Sequence, residues 1–384
     1  MTTSLDPTRY DVAIVGGGMI GMTLALRLQA IGARIALIDA SPKIASHRFI
    51  ALNGLSGDLL KSIGLSDVLA AHGTPMKKIH VSSKGHFGSV HLSADEMGYD
   101  ALGFVIPEKY IVDRLSDLLL EAPLVTLHRP ERLVELQDEG DVVALKTENH
   151  LLHALRVVGA DGTHSVVRDK LGITVNTTHY HQSALVAEVD LSRSHNHVAY
   201  ERFQEKGAIA MLPLKESRVA MIWTAPTEDI NRLSALDAVD FLKELQMCFG
   251  YRLGRFQKIG QRATYPLLMQ HASCQIKGRV LLLGNAAHTL HPIAAQGLNA
   301  GLSDVLQFSD YWKESGSDEE ALDRFSFQTK QIDFSSRLSH GLTALFSRRG
   351  GVLSGIRSIG MVGFDLCDIA KSYLVRGAMG YMDN

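Results

Sequence analysis

The sequence predicts an α/β fold, and three observations predict it. An apolar run over residues 10–15 leads at once into Gly16-Gly17-Gly18-Met19-Ile20-Gly21, a helical stretch over 23–30, a second apolar run over 33–38 and then Asp39. Residues 183–224 carry short alternating runs of the kind that half-bury a strand. From about residue 329 the apolar side chains recur at three- and four-residue spacing, which is helical. Together these describe a Rossmann-like layer, an antiparallel sheet inserted into it, and a helical C-terminal region.

The first element is a strand, G-x-G-x-x-G, helix, strand and acid in the order that binds a dinucleotide. Gly16 allows the tight turn, Gly18 lets a pyrophosphate approach, and Gly21 lets helix and strand pack closely. Asp39 accepts hydrogen bonds from ribose hydroxyls and favours a free 2′-OH, hence FAD or NAD over NADP. Next comes Arg48-Phe49-Ile50-Ala51-Leu52-Asn53, with a helix over 56–63 capped near Asn53. By itself Arg48 reads as a surface arginine or as a cation reaching a pyrophosphate.

Residues 79–92 read as paired strands turning at Lys84-Gly85, and Pro107 precedes a helix that runs to Leu120. Strands follow over 125–127, 132–137, 142–147 and 151–158. The last ends in Gly159-Ala160-Asp161-Gly162-Thr163-His164-Ser165, a second strand–loop–helix joint in which Asp161 also suits a plain N-cap. Runs over 185–189, 198–203, 208–212 and 218–223 suggest an antiparallel sheet of about four strands. A helix over 238–249 and a stretch over 262–268 lead to a buried strand at 280–283. Gly284 ends that strand. A loop with His288, His291 and Pro292 follows, and Gly297, Leu298 and Asn299 open a helix with Ala300, Leu302, Val305 and Leu306 on one face. This third joint directs backbone amides at an anionic or electron-rich ligand, and Gly297 admits something flat and large.

The whole chain sets the limits. It has 384 residues, 46% hydrophobic and 21% charged, with a formal net charge of −2, so a broad nucleic-acid-binding face is not expected. Seventeen histidines are scattered without H-E-x-x-H or another metal-ligand spacing, so no metal is expected. Three cysteines, Cys248, Cys274 and Cys367, form no C-x-x-C, which points to a reducing compartment. The first residues lack a basic start with an apolar core, and no apolar run is long enough to span a bilayer. We therefore expect a cytoplasmic protein, with a peripheral contact to the inner membrane as one reading of the tail. The tail carries Arg337, Arg348, Arg349, Arg357, Lys371 and Arg376 against Asp365 and Asp368. It reads either as a helical hairpin on the body or as a surface that meets membrane or a lipid-handling partner.

The three joints, GGGMIG with Asp39, GADGTHS and GNAAHTLHPIAAQGLN, resemble in order and separation the aromatic-hydroxylase class of FAD-dependent monooxygenases. Arg48-Phe-Ile-Ala-Leu-Asn is similar to the R-x-x-A-L segment of its ubiquinone-biosynthesis branch, as are residues 200–214, 249–267 and the late RGAMG. The likeness covers nearly the whole chain. It implies an FAD-binding domain over 1–75, 101–178 and 270–328, a substrate domain over 76–100 and 179–269, and a C-terminal helical region over 329–384. It implies that Gly16, Gly18 and Gly21 cradle the FAD pyrophosphate, Asp39 holds the adenosine ribose, and Arg48 contacts pyrophosphate or ribityl. Asp161 and Gly162 would lie near the pyrophosphate, Gly284 and Asn285 at the ribityl, and Pro292, Gly297, Leu298 and Asn299 against the isoalloxazine. Asn285 replaces the aspartate of the wider class, as is usual in this branch.

The activity so implied is ring hydroxylation of a polyprenyl methoxyphenol in ubiquinone biosynthesis, with O2, a flavin C4a-hydroperoxide and NAD(P)H or another reductant. A companion complex or membrane would be met through the C-terminal region. Hydroxylation at another ring position and a flavin-dependent prenyl reductase are the alternatives. No residue is identified as catalytic.

Overall fold

The computed structural model describes residues 9–42, 48–85, 89–289, 296–315 and 379–380. A parallel core begins with β1 (Arg9–Val15), helix α1 (Met19–Ala30) and β2 (Ile35–Ile38). Val12 to Val15 pair in parallel with residues 35–38, and all four residues of β2 are buried. Continuous apolar runs are what a strand covered on both faces requires. Beyond β2 lies β8 (Val125–His128), also parallel. On the other side of β1 lies β11 (Leu151–Gly159), again parallel.

The first half of β11 pairs antiparallel with β10 (Val143–Thr147), which pairs with β9 (Leu133–Asp138). Its second half pairs in parallel with β19 (Val280–Leu282), whose other neighbour is β18 (Ile276–Lys277). One sheet of eight strands results. Helix α1 packs with α4 (Glu108–Leu120) and with α8 (Gln296–Ser315) in a core that includes Met22, Leu115, Leu302 and Phe308.

The second sheet has nine strands. Its centre is the 17-residue β12 (Val175–Leu191), flanked by β15 (Arg218–Pro226) and, on the opposite edge, β16 (Phe256–Ile259) and β17 (Ala263–Ala272). Beyond β15 come β14 (Gly207–Pro213), β13 (Val198–Gln204), β5 (Lys78–Ser83) and β6 (Ser89–Ser93). The short β20 (His288–Thr289) closes the far edge against β17. The four-strand expectation is therefore too small, and the sheet is not purely antiparallel: β13 and β5 run parallel. Strands from distant stretches, 78–93 and 256–289, complete it, and local alternation carries no trace of such partners.

Leu185, Val189, Ile209, Met221 and Trp223 line one face of this sheet. They pack on α6 (Thr227–Ala235), which has no counterpart in the sequence reading, and α7 (Ala238–Phe249). A third sheet of β3 (Phe49–Asn53), β7 (Gly103–Pro107) and β4 (Thr74–Met76) lies between the two large ones. Its Ala51, Met76 and Val105 pack against Ala199, Leu214 and Ala220 of the nine-stranded sheet's side. Asn53 caps α2 (Gly54–Leu60) by accepting the Ser56 N–H at 2.9 Å, where the sequence places a cap. Helix α3 (Ser66–His72) follows, then α5 (Val166–Lys170) after β11. The predicted α/β class holds. The region expected to be helical, 329–384, lies outside the described residues apart from Met379 and Gly380. Among the described residues no helix is long and apolar enough to cross a membrane.

Candidate functional site

The glycines of the first joint do different things. Gly16 has φ +113°, and a Cβ there would lie 2.3 Å from the Ala160 carbonyl oxygen. A Cβ on Gly21 would lie 1.9 Å from the Gly16 carbonyl oxygen. Both glycines therefore serve close backbone packing. Gly18 differs: among the described residues a Cβ there meets nothing within 4 Å. It is the N-cap of α1, with no side chain capping the helix and no acid in its first turn. Helix-start amides with no capping side chain beside open space are suited to an anionic group.

Asp39 ends β2 and pairs with Arg129 at 2.7 Å, both side chains being 11% exposed. Arg129 also donates to the Gly17 carbonyl at 3.0 Å, so it clamps acid and glycine turn together. The sequence reading did not single it out. Its only signal is topological: β8 lies beside β2, which brings residue 129 to the end of the first joint.

At the second joint the Ala160 N–H donates to Val15 O at 2.7 Å. Asp161 Oδ2 accepts from the N–H groups of Val166 and Val167 at 2.7 and 3.1 Å, so the capping reading is correct for that oxygen. Its Oδ1 is buried without a hydrogen bond among the described residues. Gly162 has φ +83° and open space where a side chain would stand. Arg168, buried, donates to Thr163 O at 2.9 Å and to Ala286 O at 3.1 Å, which ties this joint to the third.

At the third joint Leu283 N–H bonds Gly159 O at 2.9 Å, and Gly284, with φ +56°, packs on Ile20 of α1. Asn285 is exposed in the short turn Gly284–Ala286. Among the described residues a Cβ on Gly297 would meet only Asn285 Oδ1, at 3.9 Å. Leu298 packs at the edge of the core. Asn299 donates to Ala51 O at 2.9 Å and accepts from Asn53 N at 3.0 Å, fastening α8 to β3. His288 Nε2 stands 3.7 Å from Asp304 Oδ2, both residues buried. Pro292 and His291 lie outside the described residues.

The structure thus brings Gly16, Gly18, Gly21, Asp39, Asp161, Gly162 and Gly284 to neighbouring ends of β1, β2, β11 and β19, with Gly297 and Asn299 at the start of α8. Arg48 lies just before β3, in a two-pronged pair with Glu108 at 3.0 and 3.1 Å. The open Gly18 cradle, the Asp39 acid and the orphaned Asp161 oxygen fit a dinucleotide whose pyrophosphate sits at α1.

Residues 9–313 match the FAD binding domain family. The chain belongs to that family. The ubiquinone hydroxylase UbiL of Rhodospirillum rubrum is 35% identical over 302 residues, covering 77% of this chain and 70% of the relative. The 3-demethoxyubiquinol 3-hydroxylase of Escherichia coli is 28% identical and covers 96% and 98%. The p-nitrophenol 4-monooxygenase of Pseudomonas putida shares the fold at a TM-score of 0.77, with 17% identity and 97% of both chains covered. The chain is an FAD-dependent monooxygenase of the ubiquinone-biosynthesis type.

In this monooxygenase the nine-stranded sheet presents two unlike faces. One is filled by α6 and α7. The other abuts β3, which Asn299 fastens to the third joint. On the helix side of β13 and β5, His80 contacts Arg252 at 2.8 Å and the Tyr200 ring at a centroid distance of 5.4 Å. Burial, followed by the Arg252 charge, pushes His80 down to about 4. On the side of β3, burial raises the Glu201 carboxyl to about 7. Neither group stood out in the sequence.

Proposed function

We propose that the chain hydroxylates the ring of a polyprenyl methoxyphenol in ubiquinone biosynthesis, with O2 as co-substrate and NAD(P)H or another reductant as electron donor. The observation that carries this reading is the nearly end-to-end likeness to a hydroxylase that acts on a ubiquinol precursor ring. The name of that relative also favours a second reading, hydroxylation at a different position of the same kind of ring.

Bound FAD supplies the activation of O2, since no side chain can carry that chemistry. The protein binds and positions. Amides at Gly18 receive the pyrophosphate, Asp39 the adenosine ribose, and Asp161 and Gly162 the second flank of the phosphates. Arg48, oriented by Glu108, contacts pyrophosphate or ribityl. Gly284 and Asn285 receive the ribityl chain. Gly297, Leu298 and Asn299 bring backbone to the ring system. The sheet face beside β3 walls off water, which otherwise diverts oxygen chemistry to peroxide. Residues 1–75, 101–178 and 270–328 then serve the flavin, and 76–100 and 179–269 the substrate.

The basic, helically periodic tail suits docking on an anionic membrane or a companion protein. Vesicle co-sedimentation of the R348E/R349E/R357E variant tests that docking; unchanged sedimentation refutes it. For the reaction, the flavin-loaded protein is supplied with reductant, O2 and a short-chain prenyl methoxyphenol, and the product is identified by mass and ring position. Reductant consumption with hydrogen peroxide as the sole product refutes ring hydroxylation. Reduction of the prenyl chain establishes the reductase instead.

A further inference from the structure

Ring hydroxylation needs a group that takes the phenolic proton. The structure assigns that task to Glu201: we propose that this carboxylate is the base that accepts the substrate's phenolic proton. The inference rests on the ring hydroxylation proposed above.

Geometry comes first. Glu201 lies on β13 two residues beyond Ala199, so its side chain leaves the same face of the strand. Ala199 packs with Ala51 of β3, and Ala51 is held by Asn299 at the start of α8. Glu201 therefore points to the side of the sheet that abuts the candidate flavin site, away from the α6 and α7 layer. Its register neighbours are Val81 on β5 and Ala210 on β14, neither of which can hydrogen-bond it through a side chain. Tyr200 and Arg202 alternate to the opposite face, where the Arg202 Nε donates to Cys248 O at 3.1 Å.

The titratable groups on this side of the sheet include the Glu188–Arg218 pair, level with Ala220, Tyr99, packed in the cluster that Val81 borders, and the Arg48–Glu108 pair at the start of β3. Among the described residues no hydrogen bond or ion pair holds the Glu201 carboxyl. A carboxyl facing into an apolar junction without a partner is costly and needs a reason. The residue keeps some accessible surface, yet burial alone raises the carboxyl to about 7. That value lets it be ionised, and therefore basic, near neutral pH.

The chemistry balances. As the ring carbon para to the hydroxyl forms its new C–O bond, the phenolic O–H passes its proton to a Glu201 oxygen and the ring becomes a dienone. The proton on the attacked carbon then leaves to solvent, the dienone oxygen takes back the proton from Glu201, and the ring is aromatic again. O2 is reduced with two electrons from the reductant by way of FAD; one oxygen atom enters the product and the other leaves as water. Glu201 ends as it began.

The test is Glu201→Gln in the flavin-loaded enzyme, with FAD content and melting temperature measured alongside. Hydroxylation should fall about 100-fold, the usual worth of a general base, with KM little changed and peroxide replacing product. Wild-type kcat should rise with pH through about 7, and the glutamine variant should lose that limb. A readout independent of turnover is the infrared band of the protonated carboxyl. It should titrate near neutral pH, shift when the phenol binds, stay unmoved by the phenol's methyl ether, and vanish in the variant. If glutamine prevents folding, the wild-type infrared titration and Glu201→Asp, which should retain part of the activity, decide the matter. A glutamine variant with wild-type rate, coupling and pH profile overturns the role of Glu201 while leaving the proposed reaction standing. A wild type that binds FAD and never hydroxylates the phenol overturns both.

Discussion

Gly16 and Gly18 belong to one motif, yet the structure separates their roles, and alanine at each position should act with opposite sign on the unliganded protein. At Gly18 the backbone is at φ −74° and ψ −177°, open to any residue, and an added Cβ meets nothing within 4 Å among the described residues. Gly18→Ala should therefore stabilise the FAD-free protein by about 0.4–1 kcal/mol through a less flexible unfolded chain. The melting temperature should rise by roughly 0.5–1 °C. At Gly16 the same methyl group requires φ +113° and would stand 2.3 Å from Ala160 O. Backbone strain and overpacking together cost about 2–6 kcal/mol.

Towards FAD the effects change order. Gly18→Ala places a methyl group where the pyrophosphate must approach and disturbs charge-assisted amide bonds worth about 1.5–3 kcal/mol. Affinity should fall roughly 10- to 150-fold. Scanning fluorimetry of the stripped proteins and FAD titration by flavin fluorescence measure both quantities. A Gly18→Ala protein that binds FAD as wild type does, or melts as early as Gly16→Ala, refutes the assignment of Gly18 to the phosphate and of Gly16 to packing.

Asp39→Ala should weaken FAD binding and also lower stability by about 3–5 kcal/mol, because it strands a buried Arg129; adding Arg129→Ala should restore much of the melting temperature and none of the affinity. Gly297→Val should leave the fold intact, since among the described residues an added Cβ meets only Asn285 Oδ1 at 3.9 Å, and should abolish yellow flavin; a fully loaded variant refutes the placing of Gly297 at the ring. His80 is held at about 4 against an unfolded value of 6.5. The unfolded chain then binds the extra proton first, so stability is full above pH 6.5 and is lost as pH falls towards 4, by at most about 3 kcal/mol. Arg252→Gln should raise the His80 titration midpoint followed by NMR; an unmoved midpoint removes Arg252 as a cause.

The parts legible in the sequence are those where backbone geometry allows one residue type. Gly16 and Gly21 had to be glycine because another chain segment occupies the place of their side chains. Asn53 advertised its cap through a contact three residues away. What stayed hidden depends on partners distant along the chain. Arg129 gains its meaning from lying beside Asp39, across a parallel pairing that no local pattern records. The nine-stranded sheet read as about four strands because its edges come from residues 78–93 and 256–289. Glu201 sits in Tyr-Glu-Arg-Phe, which reads as a wet strand edge until β5 is seen on one side and β14 on the other.

The divided edge of β11 has a consequence for how the molecule is made. Its first half meets β10 within a hairpin, but Val157 to Gly159 wait for β19, roughly 120 residues later in the chain. At about 5–20 residues per second on the ribosome, that edge stays bare for roughly 6–24 s. During this interval the nascent chain holds the first and second joints without the third, beside three unpaired and fully apolar strand positions. Chaperones that shield strand edges have their target there, and slowing synthesis between residues 160 and 280 should cost soluble yield more than slowing it anywhere later.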